Sequence, residues 1–262
     1  MNKPTFSCII TTKDRLEALK RLIASIEKYT EDYELIVVND ASTDGTSEWL
    51  AKQHIRYSQY NNPQPYQSIS YTTSIPVATA WNLGCEVANG EFVQILNDDM
   101  EVTDGWIEQQ KQLYDYLTAS GKKVGVFAAK LLRGDEVLSR GGAFRGTQLV
   151  PVPLPEEVKV VDYSNTPFLK RALWKEVGGF DAYAHIYYED AGFCLKVQKA
   201  GYINFYNPLC VIRHETLGFL QEHGDKEFNK RQHNESVIQV QARESFMKKW
   251  EQYLLTEHEN LY

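Results

Sequence analysis

Leu35-Ile36-Val37-Val38-Asn39-Asp40-Ala41-Ser42-Thr43-Asp44-Gly45-Thr46 decides how the chain reads. Four consecutive apolar residues predict a short strand buried on both faces. The polar run stops that strand, and Ser47–Gln53 predicts a helix capped by Asp44 or Thr46. Asp40 then sits at the tip of a buried strand, where a carboxylate needs a partner. The ring N–H of a nucleobase would supply one.

The same alternation continues outward. Phe6–Thr11 is an apolar run, and Leu16, Leu19, Leu22, Ile23 and Ile26 follow at helical spacing. Downstream, Ile55–Tyr60 reads as a strand and residues 61–75 as a polar loop. Val77, Ala80, Trp81, Gly84 and Ala88 make a helical face that Asn89-Gly90 stops. Phe92–Leu96 is a strand running into Asn97-Asp98-Asp99. Strands alternating with helices predict an α/β fold, a mostly parallel central sheet flanked by helices. Ligands of such sheets sit outside the carboxyl ends of the strands, where Asp40, Asp98 and Asp99 fall. Farther on, Val124–Ala129 reads as a buried strand and residues 136–161 as hairpins with a mobile loop. Arg171–Val177, Glu189–Ala200 and a tail from Glu227 to Leu255 read as helices.

Composition narrows the function classes. Of 262 residues, 43% are hydrophobic and 24% charged, ordinary for a globular chain with a real core. The net charge of -7 and the lack of a basic stripe argue against nucleic acid as a partner. Cys8, Cys85, Cys194 and Cys210 are scattered, without a metal-binding pair, and read as buried reduced thiols. No signal peptide and no apolar run of about 20 residues is visible, so the expected location is cytoplasmic, at most peripheral at the inner face of a membrane.

Three clusters carry chemistry. Asp98 and Asp99 repel one another at a strand end. Mg²⁺ or Mn²⁺ would relieve that repulsion and take further oxygens from donor phosphates. The plainer alternative is a solvated acidic turn. Glu189 and Asp190 open a helix, where the dipole favours acids, but either could be a general base for an acceptor hydroxyl. His214 follows a short apolar strand; it is either a satisfied structural histidine or a further metal ligand.

In this order, these segments resemble the family 2 glycosyltransferases with their Rossmann-like GT-A fold. The resemblance runs over residues 5–215. It is carried by Phe6–Arg15, Val38–Thr46, Ala80–Gly84, Asn97-Asp98-Asp99, Val177–Asp181, Glu189-Asp190, Lys199–Tyr202 and His214. It implies an inverting, metal-dependent transfer of a sugar from a UDP- or dTDP-linked donor to an acceptor hydroxyl. Asp40 would hold the base, Thr11, Thr12 and Arg15 would line the nucleotide pocket, and Asn82 would fix nucleotide or sugar. Asp98 would face ribose or donor sugar. Asp99 and His214 would hold Mn²⁺ or Mg²⁺. Asp190 would be the catalytic base, with Glu189 beside it. The acceptor would be a glycan or lipid-linked sugar of a surface polysaccharide, and the resemblance leans toward rhamnosyl-transferring members. It also implies a GT-A domain over 1–225, with a nucleotide-sugar half (1–100) and an acceptor half (101–225), then a helical extension over 226–262.

The chain departs from the family pattern at three places. Asn97 stands for the first acid of the DxD motif, Gly192 for the last acid after Glu189-Asp190, and Lys196 for a later arginine. The Gln-x-x-Arg-Trp motif of processive members is missing. A non-catalytic module binding nucleotide-sugar or glycan is therefore a second reading. A sugar nucleotidyltransferase is a third, but Thr11–Arg15 lacks the Gly-rich basic loop it needs. In the tail, Phe246, Trp250, Tyr253 and Leu254 share one helical face beside Lys248 and Lys249. That face either packs on the catalytic domain or docks on a membrane carrying a lipid-linked acceptor.

Overall fold

Buried aliphatic strands form the centre of the molecule. β1 (Phe6–Thr12) lies between β2 (Tyr33–Asp40) and β4 (Phe92–Asn97), parallel to both. Side chains alternate between faces, as the strand period of two requires. Cys8 and Ile10 of β1 and Leu35 and Val37 of β2 join one core, while Ile9 and Ile36 join the other. Such strands read as continuous apolar runs because helices cover both faces.

In a computed structural model, residues 4–59, 66–152, 156–214 and 218–258 are described. The sheet has 10 strands, and its main path adds β3 (Tyr66–Tyr71), β6 (Val124–Arg133), β10 (Lys159–Val160), β11 (Phe168–Lys170) and β12 (Ile203–His214). The order is β10-β12-β6-β11-β4-β1-β2-β3, with β11 antiparallel to both its neighbours. Two short strands join from the side: β5 (Met100–Val102) pairs β12, and β7 (Glu136–Ser139) pairs β6. A separate hairpin joins β8 (Gly142–Arg145) to β9 (Gln148–Pro151).

Helices α1 (Leu16–Tyr29) and α4 (Trp106–Ala119) contribute to one core, and α3 (Val77–Val87), α5 (Arg171–Glu176) and α6 (Glu189–Lys199) to the other. α1 buries Ala18, Leu19, Leu22, Ile23 and Ile26, the expected three-and-four spacing. Each large aliphatic side chain so buried contributes about 1.5–3 kcal/mol. A glycine inside α3 costs about 1 kcal/mol relative to alanine. It is needed, since a Cβ on Gly84 would come within 2.4 Å of Ile9 Cγ2 on β1.

Two expectations need correction. The strand expected at Ile55–Tyr60 is instead the end of α2 (Thr46–Gln59), while Tyr60 itself lies outside the described residues. The third strand, β3, lies within the stretch expected to be loop. Ile55 and Tyr57 imitate strand spacing over a span too short to separate the two periods. β3 is the sheet edge, pairing only β2, so its Gln67, Ser68 and Ser70 tolerate solvent and read as loop.

The tail is one helix, α7 (Gly218–Thr256), and it runs through the boundary expected at 225/226. Ala242, Phe246, Trp250 and Leu254, spaced by four, are buried against Phe144, Tyr183, Ala191 and Leu195. Trp250 Nε1 donates to Tyr183 Oη at 2.6 Å, and Lys249 Nζ to Asp181 at 2.7 Å. Phe246, Trp250 and Leu254 of the tail are therefore packed inside the protein.

Candidate functional site at the carboxyl ends of the strands

Strand register builds the donor side. Thr11 pairs Val38 on one flank and Asn97 on the other. Asp40 and Asp98 therefore stand just beyond Thr11 and Thr12, on opposite sides of β1. Their loops are stitched together: Thr43 N–H donates to Asp14 Oδ1 at 2.6 Å, and Leu16 N–H to Asp44 Oδ2 at 2.8 Å. Asp44 also accepts from Thr46 N–H, the helix-entry role expected of it. Asp40 Oδ1 accepts from Ile75 N–H at 2.7 Å, and its Oδ2 from Ser74 Oγ–H at 2.6 Å.

The second cluster is made by strand pairing across the sheet. β5 follows directly on Asp98-Asp99 and pairs antiparallel with β12, His214 opposite Met100. This sets His214 Nε2 3.0 Å from Asp99 Oδ1. Arg15, at the start of α1, reaches Asp99 Oδ2 at 2.6 Å and Asp98 Oδ1 at 3.3 Å. Burial alone would raise Asp99, but His214 and Arg15 outweigh it and hold the carboxyl at about 2. Burial wins at Asp98, raising it to about 6 against the pull of Arg15.

The set suits a small divalent cation. Asp99 is ionised and His214 is beside it. Asp99 Oδ1 and His214 Nε2, 3.0 Å apart, would hold the cation. His214 Nδ1 is buried with no partner among the described residues. No group of three metal-ligating side chains occurs among them either, so other coordination positions would fall to phosphate and water.

The third cluster opens α6. Tyr187 and Tyr188 both have positive φ, 88° and 68°, a strained turn that sets Glu189 and Asp190 at the helix start. Burial and the neighbouring Asp190 push Glu189 up to about 8, and burial pushes Asp190 up to about 6. Both carboxyls are therefore raised above the ordinary range, by burial and, for Glu189, by its neighbour. Ala191 N–H donates to Asp190 Oδ1 at 2.7 Å.

The sequence profile described as glycosyl transferase family 2 matches residues 7–175. The chain belongs to that family. The uncharacterized protein y4gI of Sinorhizobium fredii is 28% identical over 238 residues, covering 80% of this chain and 24% of its own length. The O-antigen biosynthesis protein RfbC of Myxococcus xanthus is 24% identical over 223 residues, covering 76% of this chain and 16% of its own. The chain thus spans about a quarter or less of these curated relatives. Among solved structures, GalNAc-T7 with UDP, GalNAc and Mn²⁺ superposes with a TM-score of 0.63 at 19% identity, over 82% of this chain and 44% of that one. That likeness shows the shared GT-A fold.

The family 2 pattern explains what the departures do here. At Gly192, a Cβ would fall 2.2 Å from Tyr183 Oη and 2.7 Å from its Cζ. The tyrosine ring, itself held by Trp250 of α7, fills the place of the missing acid. Lys196 donates to Gly179 O at 2.5 Å and pairs with Asp181 at 3.3 Å, so it ties α6 to the glycine turn before it. Asn82 does the same from α3: its Oδ1 accepts from Trp174 Nε1 and Phe180 N–H, and its Nδ2 donates to Phe180 O. Its amide joins α3 to the turn that follows α5. Residues 61–65 and 153–155, inside the two irregular stretches, lie outside the described residues.

Sequence reasoning passed over Lys13, Ser74 and His185. Ser74 Oγ accepts from Lys13 Nζ at 2.6 Å and lies 3.0 Å from His185 Nε2. Val77 N–H donates to His185 O at 2.8 Å, so the β3–α3 loop touches the acceptor half. Ser74 and His185 lie in no recognisable motif, and only the fold brings them and Lys13 to Asp40.

Proposed function

We propose that this chain is an inverting glycosyltransferase that moves a sugar from a UDP- or dTDP-linked donor to an acceptor hydroxyl. The observation that carries the reading is the Asp99–His214 pair beside Asp98, on the same sheet edge as Asp40. That edge would hold diphosphate at one end and base at the other. Support also comes from the UDP and Mn²⁺ in the GalNAc-T7 complex. The name of RfbC supports a surface polysaccharide as the acceptor, reached from the cytoplasm.

Asp190 accepts the proton of the acceptor hydroxyl, whose oxygen attacks the anomeric carbon as the bond to the nucleotide diphosphate breaks. Attack opposite the leaving group inverts that centre. Burial and the neighbouring Asp190 raise the Glu189 carboxyl, which favours its neutral form beside the base. Asp99 and His214 would hold Mn²⁺ or Mg²⁺, which supplies charge neutralisation for the diphosphate. Asp98 faces the ribose or donor sugar, and Thr11, Thr12 and Arg15 line the nucleotide pocket.

Calorimetry with UDP and dTDP, with and without Mn²⁺, tests the donor site. Manganese-dependent binding that Asp99→Asn abolishes supports it; no nucleotide binding under any condition overturns it. Binding with no sugar transfer or donor hydrolysis would favour a non-catalytic module instead.

A further inference from the structure

Asp40 is ringed by donors that the family pattern leaves without a role. Its two oxygens are unequal. Oδ1 carries the Ile75 N–H at 2.7 Å. Oδ2 lies 2.6 Å from Ser74 Oγ, 3.5 Å from Lys13 Nζ and 3.8 Å from His185 Nε2. The side chains of Lys13 and His185 are 45% and 42% exposed, and that of Asp40 13%. Oδ2 is therefore the oxygen that the hydroxyl, the ammonium and the imidazole surround.

The Ser74 hydroxyl has one proton and two groups in range, Asp40 Oδ2 at 2.6 Å and His185 Nε2 at 3.0 Å, the second an acceptor when the imidazole carries its proton on Nδ1. A hydroxyl rotates freely to suit its partners. Turned toward Asp40, it satisfies the carboxylate without ligand. Turned toward His185, it frees a lone pair of Oδ2 and remains hydrogen-bonded.

We propose that Lys13, Ser74 and His185 select the nucleobase, resting on Asp40 as the base contact of the donor site. Asp40 Oδ2 accepts a ring N–H, Lys13 donates to the carbonyl beside it, and Ser74 turns to His185 to clear the oxygen. An acceptor beside a cationic donor complements the N–H and carbonyl of uracil or thymine. Cytosine presents the reverse, an unprotonated ring nitrogen to the carboxylate and an amino group to the ammonium, and both repel. Guanine shares the N–H and carbonyl, but its amino group would have to share Asp40 Oδ1 with the Ile75 N–H.

The test is calorimetric binding of UDP, dTDP, CDP and GDP, with Mn²⁺, to the wild type, Lys13→Met, His185→Phe and Ser74→Ala/His185→Phe. The wild type is expected to prefer UDP or dTDP over CDP and GDP by about 100-fold or more. Lys13→Met should lose about tenfold toward UDP and narrow the gap to CDP. His185→Phe strands the Ser74 proton on Asp40 and should weaken UDP several-fold. Removing that hydroxyl in the double variant should recover most of the loss. Unchanged base preference in Lys13→Met, no recovery in the double variant, or tighter binding of CDP or GDP by the wild type would each overturn the inference while leaving the donor site standing. Failure of the wild type to bind any nucleotide would overturn the donor site and the inference together.

Discussion

Asp99 and His214 stand 115 residues apart in the chain and 3.0 Å apart in space. The contact exists because β5 turns directly off the acidic pair and pairs antiparallel with the end of β12. Asp99 is the turn residue just before β5 and His214 the last residue of β12, so the pairing of those two strands holds the contact in place. Arg15 balances the charge from the other side, its guanidinium 2.6 Å from Asp99.

Replacing His214 by Ala should weaken Mn²⁺ binding by at least about tenfold, the scale of losing even an outer partner of a metal ligand. Electron paramagnetic resonance of free Mn²⁺ titrated with protein reads this without turnover; unchanged affinity would remove His214 from the ligand set. Asp99 makes a separate prediction. Its carboxyl is held at about 2, below the ordinary range, so it contributes stability above about pH 4 that is lost as pH falls toward about 2. Asp99→Asn should flatten that acid limb in denaturation at pH 2–5, by at least about 1 kcal/mol across the window.

Asp190→Asn should lower kcat about 100- to 10,000-fold and leave UDP affinity unchanged, since the base acts on the acceptor. The wild-type rate should also rise with pH through about 6, because burial raises the Asp190 carboxyl and only its ionised form accepts a proton. A kcat that stays level down to about pH 4.5 would mean that this carboxyl is not the base.

Gly192→Asp restores the acid of the family pattern and should destabilise the protein by about 1–3 kcal/mol through overpacking. The clash is with Tyr183, whose Oη would lie 2.2 Å from the new Cβ. Tyr183→Gly should relieve part of the cost in the double variant. Additive losses in chemical denaturation would show that the ring is not the obstacle.

Trp250→Ala should cost about 3–5 kcal/mol in chemical denaturation, because the indole is buried and its Nε1 holds Tyr183. Vesicle flotation of the folded wild type should show no retention attributable to this face. A loss under about 1 kcal/mol would mean that the tail is not part of the folded domain.

Much of the fold and candidate site was legible in local sequence. Apolar runs ending in acids mark β1, β2 and β4, and the registers Thr11–Val38 and Thr11–Asn97 confirm that those runs lie side by side. The edge strand β3 was not legible, because an edge exposed on one side needs no apolar run. The fate of the tail face was open, because Phe246, Trp250 and Leu254 pack as well on a protein as on a lipid surface by pattern alone.

By itself, the sequence determined the strand–helix alternation, the strand tips that carry the acids, and the family. Each follows from short-range periodicity and local turn chemistry, which a chain states within a dozen residues. Tertiary structure alone decided that Arg15 faces Asp98 and Asp99, that Asn82 clamps Phe180, that Tyr183 fills the space over Gly192, and that Ser74 and His185 meet at Asp40. The first, second and fourth of these join segments far apart in the chain, and only the fold brings their side chains together. A side chain's partner there is set by which segments the fold brings within about 3 Å, and no local spacing rule contains that information.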